Sequence, residues 1–530
     1  MKRLNKILNN RYSWWALLFL ALIVLFIPAL GIKFSWIDDG QDILVSRQIV
    51  NSIRSFDFKG LGIILSEGNG RLRIIYWFYQ ALEYLVGGTN PLIHFAVHFS
   101  VIFVTSIFIF EIVKSFTKSN FAGFFSGLIY LLSPINTENI YRLGPQEPLL
   151  CIFVAASLYF LFRKKLFLSI LFLFLSTFSK EPGFVLFLPI LLAYLLKRIF
   201  YKNRDIQLEK YLILGFIFLL PIFFNVFLRR SGYSTNYEFA ISGIVKNLSS
   251  YLDLLLKGFA PFFGFFLFTY FIRLAWFFKK NRTEKDGLRF IEQGIFILIF
   301  LAFVLIQSPW KYVLQRYLMP ASVGLVIFLG IELMEVRKLL SGNLKTIRLL
   351  SIIFIGYFVV ATAGNIVRVY ILGERVAFET NSIQSMISYI AENSPKNGKV
   401  LFNFITGDST IELVSTPKLL MSILYNRSDV ATGYLNINKI DPGTTFIVGR
   451  LGIRATYTEE EIESQTNFSS KIVLLSEKIF PVITTPDNLI KQIIKKTLRR
   501  IVYKEPFNLD GIYTQYRAVN RWYIYRLSTY

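Results

Sequence analysis

Residues 14–39 read WWALLFLALIVLFIPALGIKFSWIDD, an apolar run that ends at two adjacent carboxylates. The run, about residues 14–32, is long enough to cross a bilayer as a helix, which takes about 20 apolar residues. Lys2, Arg3, Lys6 and Arg11 precede it and no small-x-small cleavage site follows, so it reads as a retained first membrane helix, not a signal peptide. The same pattern recurs. Further apolar runs of spanning length or slightly under begin near Pro91, Asn120, Pro148, Leu166, Pro182, Tyr211, Gly258, Phe290, Leu318 and Leu349. With the first they predict about eleven transmembrane helices, hence a polytopic α-helical membrane protein.

Composition agrees. Of 530 residues, 54% are hydrophobic and only 17% are charged, where a soluble domain carries about a quarter charged residues. A disordered, collagen-like or disulfide-rich secreted chain is excluded. The net charge of +24 would ordinarily raise nucleic acid as a partner, but the cations lie between the apolar runs, where they act as topology determinants. No nucleic-acid partner is expected. The single cysteine, Cys151, excludes an intramolecular disulfide and the usual zinc sites; His94 and His98 are too few for a His-rich metal site.

With a cytoplasmic N-terminus, every alternate loop is basic: Lys114 and Lys118; Arg163, Lys164 and Lys165; Lys197, Arg198, Lys202, Arg204 and Lys210; Lys279, Lys280, Arg282, Lys285 and Arg289; Arg337, Lys338, Lys345 and Arg348. An odd number of spans then puts the C-terminal part outside. Outer loops fall at about 33–90, 133–147, 179–183 and 310–317; another, about 229–257, shows no chemistry. Within the first, Val45, Ile49, Ile53 and Phe56 recur at helical spacing and predict an amphipathic interfacial helix, and 74–86 is a second apolar segment too short to span. The division expected is a transmembrane domain, 1–366, and an extracytoplasmic α/β or α+β domain, 367–530. Strands are predicted at 399–404, 444–449, 471–475 and 522–526, and helices at 382–391 and 488–500. Lys491, Lys495, Lys496, Arg499 and Arg500 give the last a basic face, either solvated or laid on anionic lipid.

The residues able to do chemistry gather in the outer loops. Asp38 and Asp39 follow the first helix at membrane–water depth, where two adjacent carboxylates do not both ionise cheaply. They fit a base near a reacting hydroxyl or an N-cap of the interfacial helix, or one role each; Asp42 is a third candidate one turn on. Glu138, Arg142 and Glu147 are the charges of the second loop. Lys180 and Glu181 read equally as a self-neutralising interfacial pair. Arg316, beside Tyr317, reads equally as a snorkelling side chain. The predicted spans show no charge near their middle and the chain shows no repeat, which weighs against a lipid or solute transporter.

Trp36-Ile-Asp-Asp39, Arg73 followed by Gly87-Gly-Thr-Asn-Pro91 and His94, Ser133-Pro-Ile-Asn-Thr-Glu138, Ser179-Lys-Glu-Pro-Gly183 and Arg316-Tyr-Leu-Met-Pro320 occur in this order. The series, over about residues 12–366, resembles the GT-C superfamily of integral-membrane glycosyltransferases, nearest the protein O-mannosyltransferase and transmembrane-TPR O-mannosyltransferase-like branch. Two departures stand out. Where close relatives carry Gly-Arg-x-Asp, the ungapped equivalent is Pro145-Gln146-Glu147-Pro148, so that arginine is missing; the first-loop Arg-Pro is Arg73-Ile74. An α/β tail replaces the TPR repeats. These favour a prokaryotic plasma-membrane member with an acceptor other than protein.

The resemblance implies a polyprenyl-phosphate-linked sugar as donor and a glycan, lipid or protein hydroxyl as acceptor, with inversion at the anomeric carbon. Asp38 is then the base, with Asp39 beside it; Glu138 orients the acceptor; Lys180, Arg316 and Arg73 face the donor phosphate; and Glu181, Tyr317 and Arg142 support them. No cofactor is demanded, although Asp38, Asp39 and Glu138 suit a divalent ion with water completing its shell. A polysaccharide ligase of the same superfamily and a non-catalytic scaffold or transporter are the competing readings.

Overall fold

The computed structural model describes residues 10–36, 38–65, 73–201, 205–228, 240–256, 260–279, 284–310, 313–340, 344–405, 411–441, 443–451, 455–483 and 513–528. Each apolar run expected to span forms a helix. α1 (Arg11–Phe26) is capped by Asn10, whose side chain accepts the Tyr12 N–H, and ends in a 3₁₀ turn at Ile27–Gly31 around Pro28. α2 (Asp39–Arg54), α3 (Phe58–Leu65) and α4 (Ile74–Gly87) follow. Ile49 and Val50 of α2 pack on Tyr76, Trp77 and Ala81 of α4, while Ile53 and Phe56 stay exposed. The apolar stripe read from the sequence is therefore only half covered by protein.

α5 (Pro91–Thr117) begins with proline at its first position and Asn90 as its cap, a pairing that satisfies the Leu92 N–H and loses no helical donor. Next come α6 (Asn120–Leu132), the single turn α7 (Thr137–Ile140), α8 (Glu147–Phe162), α9 (Leu166–Ser179) and α10 (Phe187–Tyr201). α11 (Ile206–Leu228), α12 (Ile241–Leu256), α13 (Ala260–Lys279), α14 (Glu284–Gln307), α15 (Met319–Leu340) and α16 (Leu344–Asn393) complete the helical part. Among the described residues six helical segments are long and apolar enough to cross a membrane by length and composition. The segment 315–338, through α15, is central, with 83% of its apolar window buried, whereas that of 11–31, through α1, is 28% buried and peripheral.

The reading of spans without internal charge is corrected here. Arg273 of α13 and the fully buried Glu332 of α15 form an ion pair inside the bundle, and Thr269 and Gln293 also donate to Glu332. A buried carboxylate so surrounded is compensated in place.

α16 is 50 residues long and continues through position 366, carrying the helix expected at 382–391 as its far end. Beyond it a five-stranded mixed sheet forms, in the order β2-β1-β3-β5-β4. Its strands are β1 (Lys399–Phe402), β2 (Ala431–Tyr434), β3 (Thr444–Arg450), β4 (Phe468–Ile483) and β5 (Tyr513–Leu527), with α17 (Ile411–Tyr425) and α18 (Glu459–Gln465) between them. β1 pairs parallel to β2 and β3; β5 pairs antiparallel to β3 and β4, with Val448 opposite Ile524 and Leu474 opposite Trp522. Strand alternation divides the faces. Val400, Phe402, Phe446, Val448, Trp522 and Ile524 join the core of the helical part, while Leu401, Ile447, Tyr523 and Tyr525 form a second, smaller core. The helix and basic face expected at 488–500 lie outside the described residues.

Candidate active site

Asp38 occupies the corner between the segment that follows α1 and the start of α2, with φ 70° and ψ −46°. A non-glycine residue held there costs on the order of 1–3 kcal/mol and persists only where its surroundings over-determine it. Both flanks are tied. Upstream, the Trp36 ring stacks on Trp522 of β5 with centroids 4.9 Å apart and planes at 18°, beside Phe402 and Phe404. Downstream, the Ser35 N–H donates to Asp39 Oδ2 at 2.6 Å, and the Asp42 N–H donates to the Asp38 carbonyl at 2.9 Å.

This corrects the capping alternative. Asp38 holds the N-cap position but its side chain caps nothing, and the Asp39 carboxylate turns back to Ser35. Burial pushes the Asp39 carboxyl up to about 6, and burial, then the charges of Asp38 and Asp39, push Asp42 well above the usual carboxylate range. Asp38, by contrast, keeps 29% of its side chain exposed. Of the three aspartates, Asp38 is thus the one left open to a substrate.

The second loop delivers its charges to that corner. Arg142 Nη1 donates to Glu138 Oε1 at 2.6 Å and Nη2 to Asp38 Oδ2 at 3.3 Å. The approach is close enough that Gly144 has no room for a side chain: a Cβ there would lie 2.5 Å from Asp38 Cβ and 3.1 Å from Asp42 Oδ2. The Gly144 carbonyl accepts from Tyr76 OH of α4 at 3.0 Å. Asn139, fully buried, links this loop to the fourth one. Its side-chain amide donates to the Arg316 carbonyl at 2.9 Å, and its own carbonyl lies 2.5 Å from His98 Nε2. Asn247 of α12 holds the start of the fourth loop by donating to the Ser308 and Trp310 carbonyls.

Arg316 Nη1 then stands 3.6 Å from Asp38 Oδ2, so two guanidinium groups face one carboxylate oxygen. Lys180 Nζ lies 4.5 Å from the Tyr317 ring centroid, and Arg316 lies 5.5 Å from the same ring. The pairing of Lys180 with Glu181 expected as an alternative is not what forms. Lys180 donates to Glu147, at the start of α8, and Glu181 pairs with Arg73 at 3.7 Å. Gly183 permits this corner, since a Cβ there would lie 2.5 Å from the Ser176 carbonyl carbon. Arg73 and Arg316 are each near enough to Lys180 to repel it, and Glu147 offsets the charges of Lys180 and Arg316.

All the residues singled out in the sequence therefore meet in one cluster. Glu138 arrives there held by Arg142, and Arg73 held by Glu181. Glu147 was named as a charge of the second loop but given no role in the site, and Asn139 and His98 were not placed there. Glu147 had a weak signal, an acid boxed between Pro145 and Pro148; nothing local pointed to the other two. Among the described residues no three His, Cys, Asp or Glu side chains come together to hold a metal ion. The divalent ion suggested for Asp38, Asp39 and Glu138 finds Asp39 turned away and the other two engaged by Arg142.

Helical bundle and terminal sheet domain together make up a polytopic α-helical membrane protein. The chain is similar to the crystal structure of ArnT from Cupriavidus metallidurans in the apo state, at TM-score 0.51 and 13% identity, over 87% of this chain and 96% of that one. It is also similar, at TM-score 0.49 and 14% identity over 85% and 94%, to the crystal structure of that ArnT bound to undecaprenyl phosphate. At such identities the likeness is one of fold, and it does not single out the O-mannosyltransferase branch. No protein-family model matches the chain, and no curated protein matches it by sequence.

Proposed function

We propose that this chain is an inverting glycosyltransferase that moves a sugar from a polyprenyl-phosphate-linked donor to a hydroxyl of a glycan, lipid or protein acceptor, on the outer side of a prokaryotic plasma membrane. The observation that carries the reading is the accessible Asp38 carboxylate on a strained corner, facing Arg142 and Arg316, with Lys180 and Tyr317 beside it. The ArnT-like GT-C fold supports it.

The chemistry is a displacement at the anomeric carbon. An acceptor hydroxyl is a poor nucleophile, so Asp38 takes its proton as the oxygen attacks from the face opposite the leaving group. The bond to the polyprenyl phosphate breaks, and the phosphate leaves carrying the electron pair. It requires positive charge, not a proton, and Lys180 and Arg316 supply it, with Arg73 behind them. Removing one such contact is expected to cost roughly 2.7–4 kcal/mol of barrier. Glu138 orients the acceptor through Arg142. The N-terminus is cytoplasmic and residues 367–530 are extracytoplasmic in this reading; a reporter fused at residue 400 that signals from the cytoplasm overturns that orientation.

Asp38→Asn tests the reaction. It keeps size and hydrogen bonding and removes the base, so transfer from a polyprenyl-phosphate sugar in reconstituted membranes should fall about 10²–10⁴-fold while donor binding persists. Wild-type turnover in both Asp38→Asn and Asp39→Asn would sink the mechanism.

A further inference from the structure

A second polar site lies on α16, away from the cluster above. Thr362, Asn365 and Arg368 follow one another at intervals of three and so share one side of the helix. Phe358, Ala361, Asn365 and Val369 are buried against the bundle, while Val359, Val360 and Val367 are exposed along the opposite side. Asn365 therefore faces the bundle, and the half-buried Thr362 and Arg368 flank it toward the two borders of the exposed side.

None of these groups has a hydrogen-bond partner among the described residues. Thr362 Oγ1, both amide atoms of Asn365 and Arg368 Nη1 are enclosed with no hydrogen bond, and no carboxylate among the described residues faces Arg368. Elsewhere in the bundle a buried arginine has its acid, as Arg273 has Glu332. An unpaired cation within an apolar helix is costly and, where it occurs, marks a ligand or a path. Snorkelling does not account for it: snorkelling carries the whole head group to water, yet Nη1 is enclosed, and an asparagine is too short to follow.

Its depth is readable. Gly373 packs on Tyr141, where a Cβ would lie 2.5 Å from the ring, and Tyr141 is the neighbour of Arg142. Arg368 is five residues earlier on α16, about 7–8 Å back along the axis toward the apolar body of the helix. It stands just below the charged cluster at the exposed edge of the bundle.

We propose that Arg368, Asn365 and Thr362 form a binding site for the phosphate of a membrane lipid. The half-buried Arg368 head group meets the phosphate at the exposed border, and the enclosed Arg368 Nη1, Asn365 Nδ2 and Thr362 hydroxyl donate to its oxygens as their side chains swing toward it. Guanidinium and amide groups are matched to phosphate oxygens by geometry as well as charge. The site does not depend on the transfer reaction, and its occupancy is read without turnover.

Delipidated protein in detergent is titrated with polyprenyl phosphate, with phosphatidylglycerol and with inorganic phosphate, and bound molecules are counted by native mass spectrometry. Arg368→Gln should weaken one bound lipid by about tenfold or more, the loss expected for a charge-assisted contact. Loss in the polyprenyl phosphate arm marks a carrier site, and loss in the phosphatidylglycerol arm marks a site for bulk anionic lipid. Either supports the proposal. Unchanged lipid binding in both arms overturns it, as does a loss confined to inorganic phosphate. If Arg368→Gln does not fold, Asn365→Leu is read in the same titration by the same criterion.

Discussion

Replacing Gly144 by alanine tests whether the second loop must lie against Asp38. The added Cβ would sit 2.5 Å from Asp38 Cβ and 3.2 Å from Asp38 Oδ2. Ordinary carbon contacts begin near 3.5 Å, so the loop and the corner must part by about 1 Å. Neither side gives easily. Tyr76 donates to the Gly144 carbonyl, and Asp38 is flanked by the Trp36–Trp522 stack and the Ser35–Asp39 hydrogen bond. Overpacking of this kind costs about 1–3 kcal/mol of stability. A displacement of about 1 Å at a reacting group is worth about 10²-fold in rate. Turnover should therefore fall about a hundredfold while the thermal midpoint in detergent drops by a few degrees. Gly62→Ala is the control, because a Cβ there meets nothing within 4 Å; it should be neutral or slightly stabilising in its helix. If Gly144→Ala matches wild type in both turnover and midpoint, Asp38 and the second loop do not meet as described.

Burial raises the Asp39 carboxyl from 3.8 to about 6, against the opposing pull of Ser35 and Arg142. The folded protein thus binds that proton more tightly than the unfolded chain: the stabilisation is full below about 3.8 and lost as pH rises through about 6. Asp39→Asn should be more stable than wild type at pH 8, by on the order of 3 kcal/mol at most, with a flatter profile between pH 4 and 6; a variant less stable at pH 8 contradicts this. Glu147→Gln leaves the Lys180 ammonium buried beside Arg316 and should cost about 3–5 kcal/mol, while the double variant with Lys180→Gln should recover part of it. Additive losses in that cycle would mean the two residues do not interact. Trp522→Ala removes a fully buried ring from the contact with Trp36 and should cost about 3–5 kcal/mol in thermal unfolding; an unchanged midpoint would show that the sheet does not brace the segment that leads into Asp38.

The sequence alone determined the class of molecule. Apolar runs as long as a bilayer is thick require helices, because lipid offers no partner for a bare peptide group. Thus the helices at Arg11–Phe26, Pro91–Thr117 and Met319–Leu340 were legible one by one. So were the strands at Lys399–Phe402 and Thr444–Arg450, and the residues of the charged cluster, which stand in loops at the ends of apolar runs. Tertiary structure decided how those charges pair. Lys180 is adjacent to Glu181 in the chain, yet it bonds Glu147, 33 positions away, while Glu181 turns to Arg73. Adjacent side chains on a bend diverge, and a buried ammonium takes whichever carboxylate packing brings to it. The same holds for Asp38 and Asp39. They are chemically identical and consecutive, and only the positive-φ corner, braced by Trp522 from the far end of the chain, leaves one exposed to two arginines and buries the other.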